Sequence, residues 1–178
     1  VANFGPTPVR LNPEGTAEVV WGTRIDPCRI RIDSVPTPES GHRWHDIVLH
    51  DVVPVGSREV EGRSYPVFEE LMRMDPSDAA TFAVQVQAAT VDDRNVLADT
   101  AFDAGMGFED WGASIRMLCE ACSRGEVHQE HDRLAPAEGW LTERRLAMAG
   151  DEDRIRSVLG DWSRSAHGRA VTEFERVG

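Results

Sequence analysis

The chain has 178 residues, 40% hydrophobic and 28% charged, a length and balance that suit one soluble globular domain or two small ones. No apolar run approaches the roughly 20 residues of a membrane span, residues Val1 to Arg10 hold no signal-peptide core, and three cysteines are too few for a disulfide framework, so a reducing cytoplasm is expected. The net charge of −12 argues against binding polyphosphate, and the absence of any lysine excludes Schiff-base lysine chemistry and a phosphate-loop lysine.

Strand signals dominate the first half. Glu18 to Thr23 and Arg29 to Ser34 are β-branched and alternating, and Asp26-Pro27 between them forms a turn. Arg24, Arg29 and Arg31 alternate with Ile30 and Ile32, which reads as the solvated face of a strand rather than a nucleic-acid stripe. Val35 to Gly41 carries two prolines and reads as a loop. Trp44 to Val53 resumes as a strand, and Ser57–Val60 and Arg63–Tyr65 flank a Glu61-Gly62 turn. Val67 to Met74, with Phe68, Leu71 and Met72 at helical spacing, predicts one or two helical turns. Short strands at this spacing predict a small barrel or curved sheet over residues 1–76.

Residues 77–178 predict an α+β layer in the order β-α-β-α-β. Phe82, Val84 and Val86 share one strand face, Val91 to Phe102 suits a helix, and Gly105 to Gly107 a loop. A second helix is expected from Phe108 or Asp110 to about Ser123, with Glu109 and Asp110 at its positive end and Gly125 as its cap. Arg144 to Ala149 reads as a strand. Asp151 should cap a helix whose Ile155, Val158, Leu159 and Trp162 make one apolar stripe, and Ala170 to Val177 closes as a strand.

Cys119, Cys122, His128 and His131 fall within thirteen residues as C-x2-C-x5-H-x2-H. Two thiolates and two imidazoles make a closed tetrahedral zinc set, with Zn–S near 2.3 Å. On the expected helix Trp111, Ile115, Leu118, Cys119 and Cys122 share a face, and Gly125 lets the chain turn so that His128 and His131 can reach back. The competing reading is that both cysteines pack as small core hydrophobes and the histidines lie on the surface. If four ligands bind, the metal is structural. If three bind, Glu130 or Asp132 could serve a metal-bound water, and Glu130 would be the general base of a hydrolase or deaminase-like enzyme. The deaminase order is reversed here, no metalloprotease helix motif is present, and three helical turns ahead of the cysteine pair set the helix dipole against thioredoxin-like redox chemistry. His42, His45 and His50 read as surface or barrel-mouth histidines, with His42 and His45 retained as a loop pair.

Val20 to Pro27, Pro36-x-Pro-Glu-Ser-Gly41-His-Arg, Val48-x-x-Asp51, Asp110-Trp111 through Ser114-x-Arg116, and Leu118 to Gly125 with His128 and His131 following resemble an uncharacterised bacterial segment found after tetratricopeptide arrays. Ile30 to Val48 more weakly resembles the barrel of ImpE, an accessory family of type VI secretion. Both resemblances imply an accessory role with a protein partner and supply no catalytic residue. This chain lacks the tetratricopeptide repeats, so a scaffold role does not carry over with the resemblance. The expectation is therefore a cytoplasmic, zinc-binding accessory or interaction protein, without nucleic acid or membrane, and the metal-dependent enzyme is the alternative.

Overall fold

The computed structural model describes residues 4–60, 62–112 and 140–178. They divide into two compact units, one ending at Asp78 and one beginning at Ala79.

The first unit is a five-stranded barrel. Strands β1 (Pro6–Leu11), β2 (Glu18–Arg24), β3 (Arg29–Ile32), β4 (Ile47–His50) and β6 (Arg63–Asp75) pair in that order, and a parallel pairing of β1 with β6 at Val9↔Phe68 closes the ring. Strand β5 (Gly56–Val60) forms a hairpin with the first third of β6 around Gly62, whose φ of 75° suits glycine. The alternation in β3 shows why a barrel forms. Ile30 and Ile32 are fully buried, while Arg29 and Arg31 point out and pair with Asp26 and Asp33. Val9, Leu11, Val20, Val48 and Phe68 complete the apolar interior. Gly22 is required by close packing, because a Cβ there would sit 2.5 Å from both the Arg31 carbonyl oxygen and Ile30 Cγ2.

Two segments differ from the sequence expectation. Val67 to Met74 is not helical but the centre of β6, bent by register shifts opposite Ile47/Val48 and Leu49/His50. Phe68 turns inward, while Leu71 and Met72, the other two members of the expected helical stripe, lie on the surface. Strand β1 is not among the strands expected from the sequence; its Pro6 and Pro8 are residues that a central ladder disfavours. Arg24 N–H donates to the Gly5 carbonyl, so by antiparallel alternation Gly5, Thr7 and Val9 carry the bonds to β2. The missing N–H groups of both prolines then face the β6 side, where pairing starts only at Val9.

The second unit is a four-stranded antiparallel sheet in the order β10-β7-β9-β8: β7 (Thr81–Ala88), β8 (Gly107–Asp110), β9 (Glu143–Ala149) and β10 (Arg169–Arg176). Helices α1 (Val91–Asp103) and α2 (Glu152–Ser165) make the sequence β-α-β-β-α-β, a split β-α-β arrangement. The expected α+β layer is present with one more strand, β8. Phe108 to Asp110 begin no helix: Asp110 pairs across to Leu146. Residues 113–139, which hold the rest of that expected helix, lie outside the described residues.

Both described helices start on side-chain caps. Thr90 and Asp93 form a reciprocal capping box, and Asp151 accepts from Arg154 N–H. Ile155, Leu159 and Trp162 form the buried stripe of α2, with Val158 packed beside it. They meet Leu97, Ala98 and Ala101 of α1 and the Phe82, Val84, Val86, Leu146 and Met148 face of the sheet. Trp162 Nε1–H donates to the Asp93 carbonyl at 2.8 Å, tying α2 to the start of α1. Among the described residues no helix is long and apolar enough to cross a membrane.

Candidate functional site

The polar chemistry of the barrel concentrates where the loop after β3 meets the strand ends. Pro38–Ser40 makes one 3-10 turn, ended by Gly41 at φ 72°, and delivers His42 to the barrel. Two buried carboxylates on strands, Glu18 and Glu70, receive this loop, and a third, Asp46, ends it. Glu18, on the inward parity of Val20, accepts from Thr37 N–H at 2.9 Å and Thr37 Oγ1–H at 3.0 Å. Asp46 is fully buried and accepts from Ser77 N–H at 2.6 Å, Arg43 N–H at 3.0 Å and an Arg73 guanidinium N–H at 3.4 Å. Glu70, on the inward parity of Phe68, accepts from Asn12 N–H at 2.9 Å and meets His42 Nε2 at 2.6 Å.

The His42 ring fixes its own protonation. Nδ1 lies 2.9 Å from the Ser40 carbonyl oxygen, which can only accept, and Nε2 faces the Glu70 carboxylate. With Glu70 ionised, both nitrogens donate, as an imidazolium paired with a carboxylate, and the two side chains are only 9% and 7% exposed. Burial alone would lower the His42 pKa, but the hydrogen bond to Glu70 and the Glu70 charge outweigh it and raise the pKa above its ordinary value. Burial likewise opposes ionisation of Glu70, and the His42 and Asn12 donors outweigh it and hold its pKa below the usual carboxylate value. Both Glu70 oxygens and both His42 nitrogens are engaged, so the pair holds a proton and fastens the loop. A general base needs a lone pair turned to a substrate, a different arrangement.

The other two histidines of the group go elsewhere. His45 adopts φ 71° and stacks on Trp44 with ring centroids 3.6 Å apart. Its pKa is lowered, first by burial and then by the Arg31 charge. His50 is buried against Phe68, and its Nδ1 donates to the Asp51 carbonyl at 2.7 Å; burial, the largest influence, lowers its pKa and favours the neutral ring. His42 and His45 thus share a loop without sharing a ligand. Among the described residues no group of three or more His, Cys, Asp or Glu side chains is placed to hold a metal. Cys119, Cys122, His128, His131 and Glu130 all lie outside the described residues.

Sequence reasoning missed Glu18, Glu70 and Arg73. For the two glutamates a signal exists: an acid on the inward parity of a barrel strand, legible once the register of β2 and β6 is known. It also missed the buried pair of the second unit, where Arg144 donates to Asp110 Oδ2 at 2.7 and 3.1 Å, both side chains being 8% exposed.

No family model matches the chain, and no curated protein does. Among solved structures, a hypothetical protein from Neisseria gonorrhoeae is 12% identical over 95% of this chain and 92% of its own, with a TM-score of 0.37, a level of likeness that carries no inference.

Proposed function

We propose that this protein is an accessory or interaction protein whose structural zinc is held by Cys119, Cys122, His128 and His131. The observation that carries the reading is where those residues fall. Strands β8 and β9 are hydrogen-bonded neighbours, paired from Gly107↔Ala149 to Asp110↔Leu146, and the pairing extends to Gly112 N–H on the Arg145 carbonyl at 3.0 Å. A turn of a few residues joins such neighbours, yet thirty-two residues, 111–142, stand between Asp110 and Glu143. All four soft ligands lie inside that insertion. A closed Cys2His2 zinc would supply folding free energy to such a stretch directly.

The interaction half of the reading has separate support. Leu71, Met72 and Met74 stand 60, 55 and 50% exposed along β6, and Val52 and Val53 are exposed in the loop after β4. A run of solvent-facing apolar side chains on one strand is the kind of surface a protein partner covers. The resemblance to a segment that follows tetratricopeptide arrays agrees with it.

The test replaces residues 113–139 by a short Asn-Gly turn and compares the product with the full chain by elemental analysis and circular dichroism. The expected result is one zinc in the full chain and none in the shortened one, with the strand and helix signal of the second unit kept. Equal metal content in both would place any metal outside the insertion and end the proposal.

A further inference from the structure

On the outer wall of the barrel, where β3, β4 and β6 lie side by side, register sorts the side chains into columns. Arg29, Leu49 and Met72 make one row across the three strands, and Arg31, Ile47 and Asp75 make another. Val48 and His50 are buried while Ile47 and Leu49 are half-exposed, so the latter two face out. The columns are therefore basic on β3, apolar on β4 and apolar on β6, with Asp75 ending the last. The two register shifts of β6 widen its column, because the extra residues Leu71 and Met74 also stand on the surface beside Met72.

The dimensions of this stripe are those of a helix. Neighbouring strands lie about 4.8 Å apart, so two apolar columns make a strip about 10 Å wide, roughly one helix diameter. From Ile47 to the exposed Val52 the chain advances about 17 Å, the length of about 11 helical residues. Bulges twist β6 and break the even spacing of its backbone groups, which disfavours an added strand and leaves side chains as the docking surface. Two methionines in the stripe adapt readily to a partner's side chains.

The charge of the flank selects the partner. Arg29 hydrogen-bonds Asp26 through Nε alone, and Arg31 holds Asp33 through Nε and one terminal nitrogen. The two arginine side chains are 46 and 45% exposed, and three of their four terminal nitrogens keep donors for a further carboxylate. In a chain of net charge −12, guanidiniums standing forward beside an apolar stripe mark a place where an acidic partner is accepted.

We propose that this wall docks an amphipathic helix of a partner protein, with leucine, isoleucine or methionine on its apolar side and carboxylates along one flank. The apolar side lies on Leu49, Leu71, Met72 and Met74, and the carboxylates meet Arg29 and Arg31. The inference rests on the interaction half of the function proposed above and is independent of the zinc.

The test titrates the full chain, with and without chelator, into a dye-labelled peptide of about 14 residues followed by fluorescence anisotropy. The peptide carries leucine at i, i+4, i+7 and i+11 and glutamate along one flank. A second peptide replaces the glutamates by lysines, and a third keeps the glutamates but has two central prolines that prevent a helix. Saturable binding of the glutamate peptide is expected with a Kd of about 1–100 μM. The lysine peptide should bind more weakly, against the preference of the net charge. Arg29→Glu with Arg31→Glu should weaken the glutamate peptide about tenfold or more and strengthen the lysine peptide, whereas Leu71→Ser with Met72→Ser should weaken both. Circular dichroism verifies that each double variant folds. Wild-type affinity in either double variant, or a lysine peptide binding as tightly as the glutamate peptide, would overturn the proposal. So would a dimer of the chain that Leu71→Ser with Met72→Ser dissociates, since a second copy would then cover the stripe. Equal binding of the proline peptide would overturn the helix and leave the interaction reading standing. No binding of any peptide together with no self-association would end both.

Discussion

Replacing Glu70 by alanine tests the barrel clasp. The change removes the acceptor of Asn12 N–H and the acceptor of His42 Nε2–H, both at the buried end of the barrel. Each buried donor left without a partner costs about 1–3 kcal/mol, and breaking a buried ion pair from one side costs about 3–5 kcal/mol, so a loss of about 3–5 kcal/mol is expected. For a chain of this size that corresponds to a fall in melting temperature of roughly 6–20 °C. The pH dependence separates the pair from simple packing. His42 has its pKa raised, so its contribution is complete below the ordinary value of 6.5 and disappears as pH rises through the folded value. Glu70 has its pKa lowered, so its contribution is complete above the ordinary 4.5 and disappears as pH falls through the folded value. Their joint contribution is therefore greatest between 4.5 and 6.5. Urea unfolding of wild type, His42→Ala, Glu70→Ala and the double variant, at about pH 6 and about pH 9, gives the coupling energy. It should be about 0.5–3 kcal/mol at the lower pH and shrink at the higher one. An equal coupling at both values, or a Glu70→Ala midpoint unchanged from wild type, would refute the imidazolium–carboxylate assignment.

Asp110→Ala leaves the buried Arg144 guanidinium without its carboxylate and should cost about 3–5 kcal/mol by denaturant unfolding, whereas the exposed Asp161→Ala, which only breaks a surface pair with Arg164, should lie within about 0.5 kcal/mol of wild type. Gly22→Ala puts a methyl group 2.5 Å from a backbone oxygen of β3 and should destabilise the barrel by roughly 1–3 kcal/mol, read as a lowered urea midpoint. Trp162→Phe keeps the apolar contact in the helix–sheet core but loses the bond to the Asp93 carbonyl, and a drop of about 1 kcal/mol in unfolding free energy is expected.

The elements that were legible in the sequence are those whose pattern matches one period and one cap. Helix α2 is the clearest: Asp151 starts it, and Ile155, Leu159 and Trp162 repeat at the helical spacing that the core requires. The α+β class and the N-terminal barrel followed from strand alternation, as in Ile30 and Ile32. Strand β6 was misread because Phe68, Leu71 and Met72 mimic a helical face, while the bulges that break its alternation are set by pairing with β4, a partner some twenty residues away. Strand β8 was misread because Glu109-Asp110 looks like the acidic start of a helix; the pairing of Asp110 with Arg144, thirty-four residues on, leaves no local trace. The clasp was half legible. His42 was singled out as part of a loop pair, but its partner Glu70 sat inside a segment expected to be helical, and only the closed barrel brings the two together.

Zinc content and thermal stability of the same preparation test the central claim most directly. The full chain is predicted to carry one zinc, lost in Cys119→Ser, Cys122→Ser, His128→Ala and His131→Ala and retained in Glu130→Ala, with chelation lowering the melting temperature of the wild type. A metal-free chain whose melting is the same with and without chelator would contradict the account and leave Cys119 and Cys122 as packing residues. Loss of zinc on changing Glu130 would show that the ligand set is not the four soft side chains proposed.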